Sequence, residues 1–120
     1  MQVSSLENSK RLFELSGWQN TRDFWYKTPK IDLRSGSAID DYSHWKVKPL
    51  GYRGKYSTSH PAYDAGYLLR KLQEAVSLSC YDSEWRAAYG KEDGIYADTP
   101  EDALALLAIK LFEEGVLTND

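Results

Sequence analysis

Apolar positions along the chain recur with helical spacing in three places. From Ser5 to Leu15 the residues Leu6, Leu12, Phe13 and Leu15 are apolar and Gly17 follows, which predicts a helix; Ser4 and Glu7 at its opening have capping-box spacing. From Pro61 to Ala75, continuing to Val76, the residues Ala65, Leu68, Leu69, Leu72 and Val76 fall along one side, with Ser59 or His60 as the cap and Pro61 at the start of a second helix. The third runs from Asp98 to Gly115. Thr99 can be its N-cap, Pro100 suits the first helical position, Asp102 stands where a capping box puts its carboxylate, and Gly115 supplies a left-handed stop. Leu104, Leu107, Ala108 and Leu111 form one stripe, and Ala105, Ile109 and Phe112 widen it beyond the arc of a surface helix. A helix this apolar has to be packed on more than one side.

Period-two alternation marks the strands. Thr21 to Lys27 has strand composition, although Phe24-Trp25-Tyr26 leaves its inward face ambiguous. Tyr42 to Lys48 sets Trp45 and Val47 against His44, Lys46 and Lys48, and Pro49 closes it. Val76 to Tyr81 and Glu84 to Tyr89 read as a hairpin turning at Asp82-Ser83, and Ile95 to Ala97 as a short strand. Lys30 to Asp41 and Leu50 to Ser59 read as loops. The order predicts a single α+β domain over residues 1–120: a small, mostly antiparallel sheet of about four strands with helices packed on it. The breadth of the last apolar face favours an α/β/α sandwich.

Composition narrows the class. With 42% apolar and 28% charged residues the chain has the balance of a globular protein, and its longest apolar run, Ala103 to Ile109, is too short for a bilayer. The opening M-Q-V-S-S-L-E-N-S-K lacks the basic-then-apolar order of a secretion signal, and the single cysteine cannot form an internal disulfide, so a cytoplasmic location is expected. The net charge of -3 gives no global pull toward nucleic acid. Locally the picture differs: between Tyr42 and Tyr63 there is no Asp or Glu, while Lys46, Lys48, Arg53 and Lys55 are all basic. The 4 Trp, 9 Tyr and 3 Phe are also more rings than a core of this size is expected to absorb.

Candidate chemistry therefore concentrates between Tyr42 and Arg70. Trp45, Tyr52, Tyr56 and Tyr67 offer flat rings for stacking, and Arg53, Lys55 and Arg70 offer cations for phosphate, the combination a nucleotide-like ligand requires. The plain alternative is a solvated loop with lysines guarding a sheet edge. Tyr63, Tyr67, Arg70 and Glu74 follow at helical intervals and predict a second stripe opposite the core face, suited first to a subunit or partner interface, with packing beneath the central loop and the wall of a ligand pocket as the alternatives. His60 with Asp64, or Asp40, Asp41 and His44, is too loose a set for a metal, and no metal or cofactor is expected. Cys80 is expected to be a buried small hydrophobe beside Val76 and Leu78. No nucleophile, base and orienting group stand in a recognisable arrangement, so an enzyme is the least favoured class.

P-A-Y-D-A-G-Y-L-L-R-K-L at Pro61 to Leu72, paired with A-D-T-P-E-D-A-L-A-L-L-A-I-K-L-F-E-E-G-V-L at Ala97 to Leu117 and bridged by E-W-R-A-A-Y-G, resembles the phage ABA-sandwich domain proteins, small bacteriophage-encoded proteins. Leu15-Ser16-Gly17-Trp18 extends the resemblance to the opening helix. It implies helices on both sides of a sheet and a phage or prophage origin, and it brings no catalytic residues. The expected function is that of a small accessory binding protein of a phage in a bacterial host, sequestering a nucleotide-derived signal of host defence as a homo-oligomer. The alternatives are a module that inhibits a host protein through the Tyr63/Tyr67/Arg70 face, and a binder of single-stranded nucleic acid.

Overall fold

The last helix is the hub of the molecule. The computed structural model describes residues 2–27, 30–31, 38–39, 45–49, 59–72, 76–90 and 94–118. In chain order the elements are α1 (Leu6–Ser16), β1 (Asp23–Lys27), β2 (Lys30–Ile31), β3 (Ala38–Ile39), β4 (Trp45–Pro49), β5 (Ser59–Ala62), α2 (Ala65–Leu72), β6 (Val76–Tyr81), β7 (Glu84–Tyr89), β8 (Ile95–Ala97) and α3 (Pro100–Glu113). Helix α3 buries Ala103, Leu104, Ala105, Leu107, Ala108, Ile109 and Leu111 against α1 and α2 on one side and β7 and β8 on another. Full burial of each leucine contributes roughly 1.5–3 kcal/mol, and the alanines between them let neighbouring backbones approach closely.

The fold is α+β with antiparallel pairing throughout. Its strands divide into two three-stranded sheets, β4-β1-β5 and β6-β7-β8, with β2-β3 as a separate pair, in place of the one sheet of about four expected from the pattern. In the second sheet Val76, Leu78, Ala87, Tyr89, Trp85, Ile95 and Ala97 share the face that joins the core around α3. In the first, β1 is central and both its faces are covered. Phe24 and Tyr26 are buried on one, while Trp25 on the other donates its indole N–H to the Ser4 carbonyl at 3.1 Å. This is why no single inward face could be read from Phe24-Trp25-Tyr26.

Helix ends follow local chemistry. Thr99 caps α3 by accepting the Asp102 N–H at 3.2 Å, and Gly115, at φ 77°, ends it. Helix α1 stops at Gly17, also left-handed, but its cap is Ser5, whose hydroxyl accepts the Asn8 N–H at 3.2 Å, and Ser4 is buried in a 2.6 Å bond with Ser9. The hairpin turns at Asp82-Ser83 with φ values of 48° and 70°, the doubly left-handed geometry that suits a right-twisted pair of strands.

The expected start of the second helix is corrected. Pro61 lies in β5, an edge strand where its missing N–H leaves no ladder bond unmade. Helix α2 begins only at Ala65, and its cap is Asp64, whose carboxylate accepts the Tyr67 N–H at 2.8 Å. Cys80 is corrected as well. It shares the Val76 and Leu78 face, as the alternation predicts, but lies near the hairpin end of the strand and is exposed.

Candidate functional site

The residues around Tyr67 gather at the junction of α1, α2 and α3. Gly17 ends α1 and turns the chain, so that Trp18 follows with its N–H donated to the Ser16 hydroxyl at 3.0 Å and its carbonyl accepting the Tyr63 hydroxyl at 2.5 Å. The Trp18 ring stands edge-on to Phe112 at 5.2 Å and to Tyr67 at 6.5 Å, and Tyr63 and Tyr67 stack obliquely at 5.6 Å. Above them, the Lys71 ammonium lies 5.6 Å from both the Trp18 and Tyr67 ring centroids, a double cation–π arrangement. Arg70 and Lys71 are exposed on the last turn of α2, where cations complement the helix dipole. Among the described residues neither is in an ion pair.

Burial sets the protonation of this cluster. It pushes the Tyr63 phenol well above the ordinary tyrosine value, against a smaller opposing effect of the Ser16 hydroxyl. Tyr67 is raised for the same main reason, with the Asn20 backbone and the Arg70 charge pulling the other way. The Tyr67 hydroxyl oxygen is buried and has no hydrogen-bond partner among the described residues. Both groups are neutral phenols at physiological pH.

A second aromatic group forms where α1 crosses the first sheet. The Trp45 ring lies 5.5 Å from the His60 ring, with the Lys10 ammonium 5.0 Å above the indole. Burial, and then the Lys10 charge, lower the His60 pKa, with Glu14 opposing. Trp45 Nε1 is buried and has no hydrogen-bond partner among the described residues. Lys46 is exposed on the same edge strand, and Pro49 ends it, which is the arrangement of a guarded sheet edge.

The predicted residues thus separate. Tyr67 and Arg70 come together at the first group, Trp45 belongs to the second, and Tyr52, Arg53, Lys55, Tyr56 and Glu74 lie outside the described residues. The outward Tyr63/Tyr67 stripe is corrected: Tyr63 is 0% and Tyr67 8% exposed, because the late start of α2 leaves Tyr63 in the link from β5, where its ring turns into the core. Of that interface set, only Arg70 reaches solvent among the described residues. Sequence reasoning passed over Trp18 and Lys71 as site residues. The available signal was a tryptophan directly after a helix-ending glycine and a second cation beside Arg70. Among the described residues, no three His, Cys, Asp or Glu side chains are grouped to hold a metal ion, and no helix is long and apolar enough to cross a membrane. No family model, curated protein or solved structure matches the chain. The fold and the site define an α+β domain with an exposed pair of cations beside a framework of aromatic rings.

Proposed function

We propose that the protein binds a small anionic molecule carrying an aromatic ring, of nucleotide type, and does not convert it. The observation that carries this reading is the Lys71 ammonium held over the Trp18 and Tyr67 rings beside Arg70, two exposed cations that are in no ion pair among the described residues. Arg70 and Lys71 serve the phosphate, and the half-buried Trp18 serves the base. The orphaned Tyr67 hydroxyl beneath them supports the same reading, since a buried polar atom without a partner marks a place that a ligand can complete. With the resemblance to small phage proteins, the role proposed is sequestration of a nucleotide-derived signal of host defence.

A thermal-shift screen of mononucleotides, dinucleotides and cyclic dinucleotides tests it. Binding to the folded state alone raises the melting temperature with ligand concentration. Stabilisation by at least one phosphate-bearing member is expected, and no shift with any of them overturns the proposal. The reading as an inhibitor of a host protein loses its aromatic face to burial, and Arg70 alone does not carry it.

A further inference from the structure

We infer that the free edge of β6 is a self-pairing surface, and that two copies of the chain join through antiparallel β6 strands into one continuous six-stranded sheet. Two of the outer strands, β4 and β6, are finished differently. Strand β4 carries Lys46, Lys48 and Pro49, residues that oppose edge-to-edge pairing, whereas β6 reads Val76-Ser77-Leu78-Ser79-Cys80-Tyr81, six residues with no charge, no proline and no glycine. Ser77, Cys80 and Tyr81 are exposed, Tyr81 at 62%.

The hairpin register fixes which backbone groups face outward. A two-residue turn makes Tyr81 and Glu84 the hydrogen-bonded pair that closes the hairpin, and alternation along the ladder then turns Ser79 and Ser77 toward β7 as well. Val76, Leu78 and Cys80 are left with their N–H and C=O groups on the open side, and among the described residues no strand pairs with them.

The occupant is named by the sequence of the strand itself. Val76-Ser77-Leu78-Ser79-Cys80 has the same apolar and hydroxyl order in both directions about Leu78. In an antiparallel register centred there, Leu78 meets Leu78 of the second copy, Val76 meets Cys80, and Ser77 meets Ser79. All three outward residues then pair with outward residues, forming about six backbone hydrogen bonds. Every side chain keeps its face, apolar opposite apolar and serine opposite serine, with no like charges opposed.

Sedimentation velocity of the full chain over a wide concentration range tests the proposal, beside a Ser77→Lys/Ser79→Lys double variant whose fold is checked by circular dichroism. The wild type is expected to form a dimer and the variant to remain monomeric with unchanged secondary structure. Register is read separately by mixing Ser77→Cys and Ser79→Cys chains in a Cys80→Ala background. Cα atoms about 4.5 Å apart in that pair permit an intermolecular disulfide, and more cross-linked heterodimer than either chain forms alone is expected. A wild type that is monomeric throughout, a dimer that persists in the lysine variant, or capture of a different protein by a monomeric β6 edge overturns it.

Discussion

The Asp102 carboxylate accepts the Ser5 backbone N–H at 2.7 Å, joining the first turn of α3 to the cap of α1 across 97 residues of sequence. The same oxygen accepts the Asn8 side-chain amide at 3.0 Å, so one side chain serves the amino ends of two helices: its own, through the dipole, and α1 through these bonds. Arg11 and Glu113, 3.0 Å apart, tie the same two helices again farther along. Because α3 also carries the second sheet, the Asp102 link sets how the N-terminal segment seats on the core. Replacing Asp102 with Ala is expected to lower stability by about 1.5–3 kcal/mol, the range for hydrogen bonds to a charged group. Asp102→Asn, which keeps an acceptor, should lose less. Urea denaturation measures both, and equal stability of the Ala variant and the wild type contradicts the link.

Tyr63 and Tyr67 should respond oppositely to loss of their hydroxyls. Tyr63→Phe removes the donor to the Trp18 carbonyl and leaves that carbonyl without this bond, a loss of about 1–2 kcal/mol. Tyr67→Phe removes a buried oxygen that has no hydrogen bond among the described residues, so it should leave stability unchanged or raise it. Denaturation midpoints of the two variants distinguish these outcomes, and a greater loss at Tyr67 than at Tyr63 contradicts the geometry.

The pH dependence has an alkaline and an acid limb. The folded Tyr63 and Tyr67 phenols hold their protons above the ordinary value of about 10, so their contribution is complete below that pH and is lost as pH rises through the folded values. The Tyr63→Phe variant should show a shallower alkaline decline. His60 has the opposite sign, because its folded pKa is lowered by burial and by Lys10. Its contribution is complete above about pH 6.5 and is lost as pH falls, so His60→Gln should flatten that limb. Melting temperatures across the two ranges check both, and unaltered slopes in the variants contradict the assignment.

The hairpin turn leaves room for improvement. Ser83 holds a φ of 70°, a region that disfavours residues with a Cβ, while Asp82 tolerates its 48° better through its short polar side chain. Ser83→Gly is expected to stabilise the protein by about 1 kcal/mol. Chemical denaturation measures the gain, and a loss of stability contradicts it.

What the sequence made legible was set by short-range chemistry. The cap at Thr99, the stop at Gly115, the Asp82-Ser83 hairpin and the doubly packed breadth of α3 each depend on residues close in the chain, and each was read correctly. Pro61 was misread because proline is equally at home at a helix start and on an edge strand, and only pairing with the distant Phe24 decides between them. That one shift moved the cap to Asp64 and turned Tyr63 inward. Cys80 shows the same limit: alternation gives the face of a strand but not how far along it the covering helix extends. The site was half legible. Arg70 and Tyr67 were named from their residue types, whereas Trp18 and Lys71 join them only through the packing of α1 and α2 on α3.

The central claim, that the cations beside Trp18 receive a phosphate-bearing ring compound, is tested most directly by isothermal titration of the nucleotides and cyclic dinucleotides into the wild type and into an Arg70→Glu/Lys71→Glu variant. Charge reversal removes the Lys71 contacts with the two rings and places two anions at the end of α2, so the variant is expected to melt somewhat below the wild type in the absence of ligand, and circular dichroism checks that it is folded before titration. The account predicts saturable binding of at least one compound to the wild type, and affinity at least about tenfold weaker in the charge-reversed variant, as expected when charge-assisted contacts are lost. No saturable binding by any of them, or equal affinity in the two proteins, would contradict it.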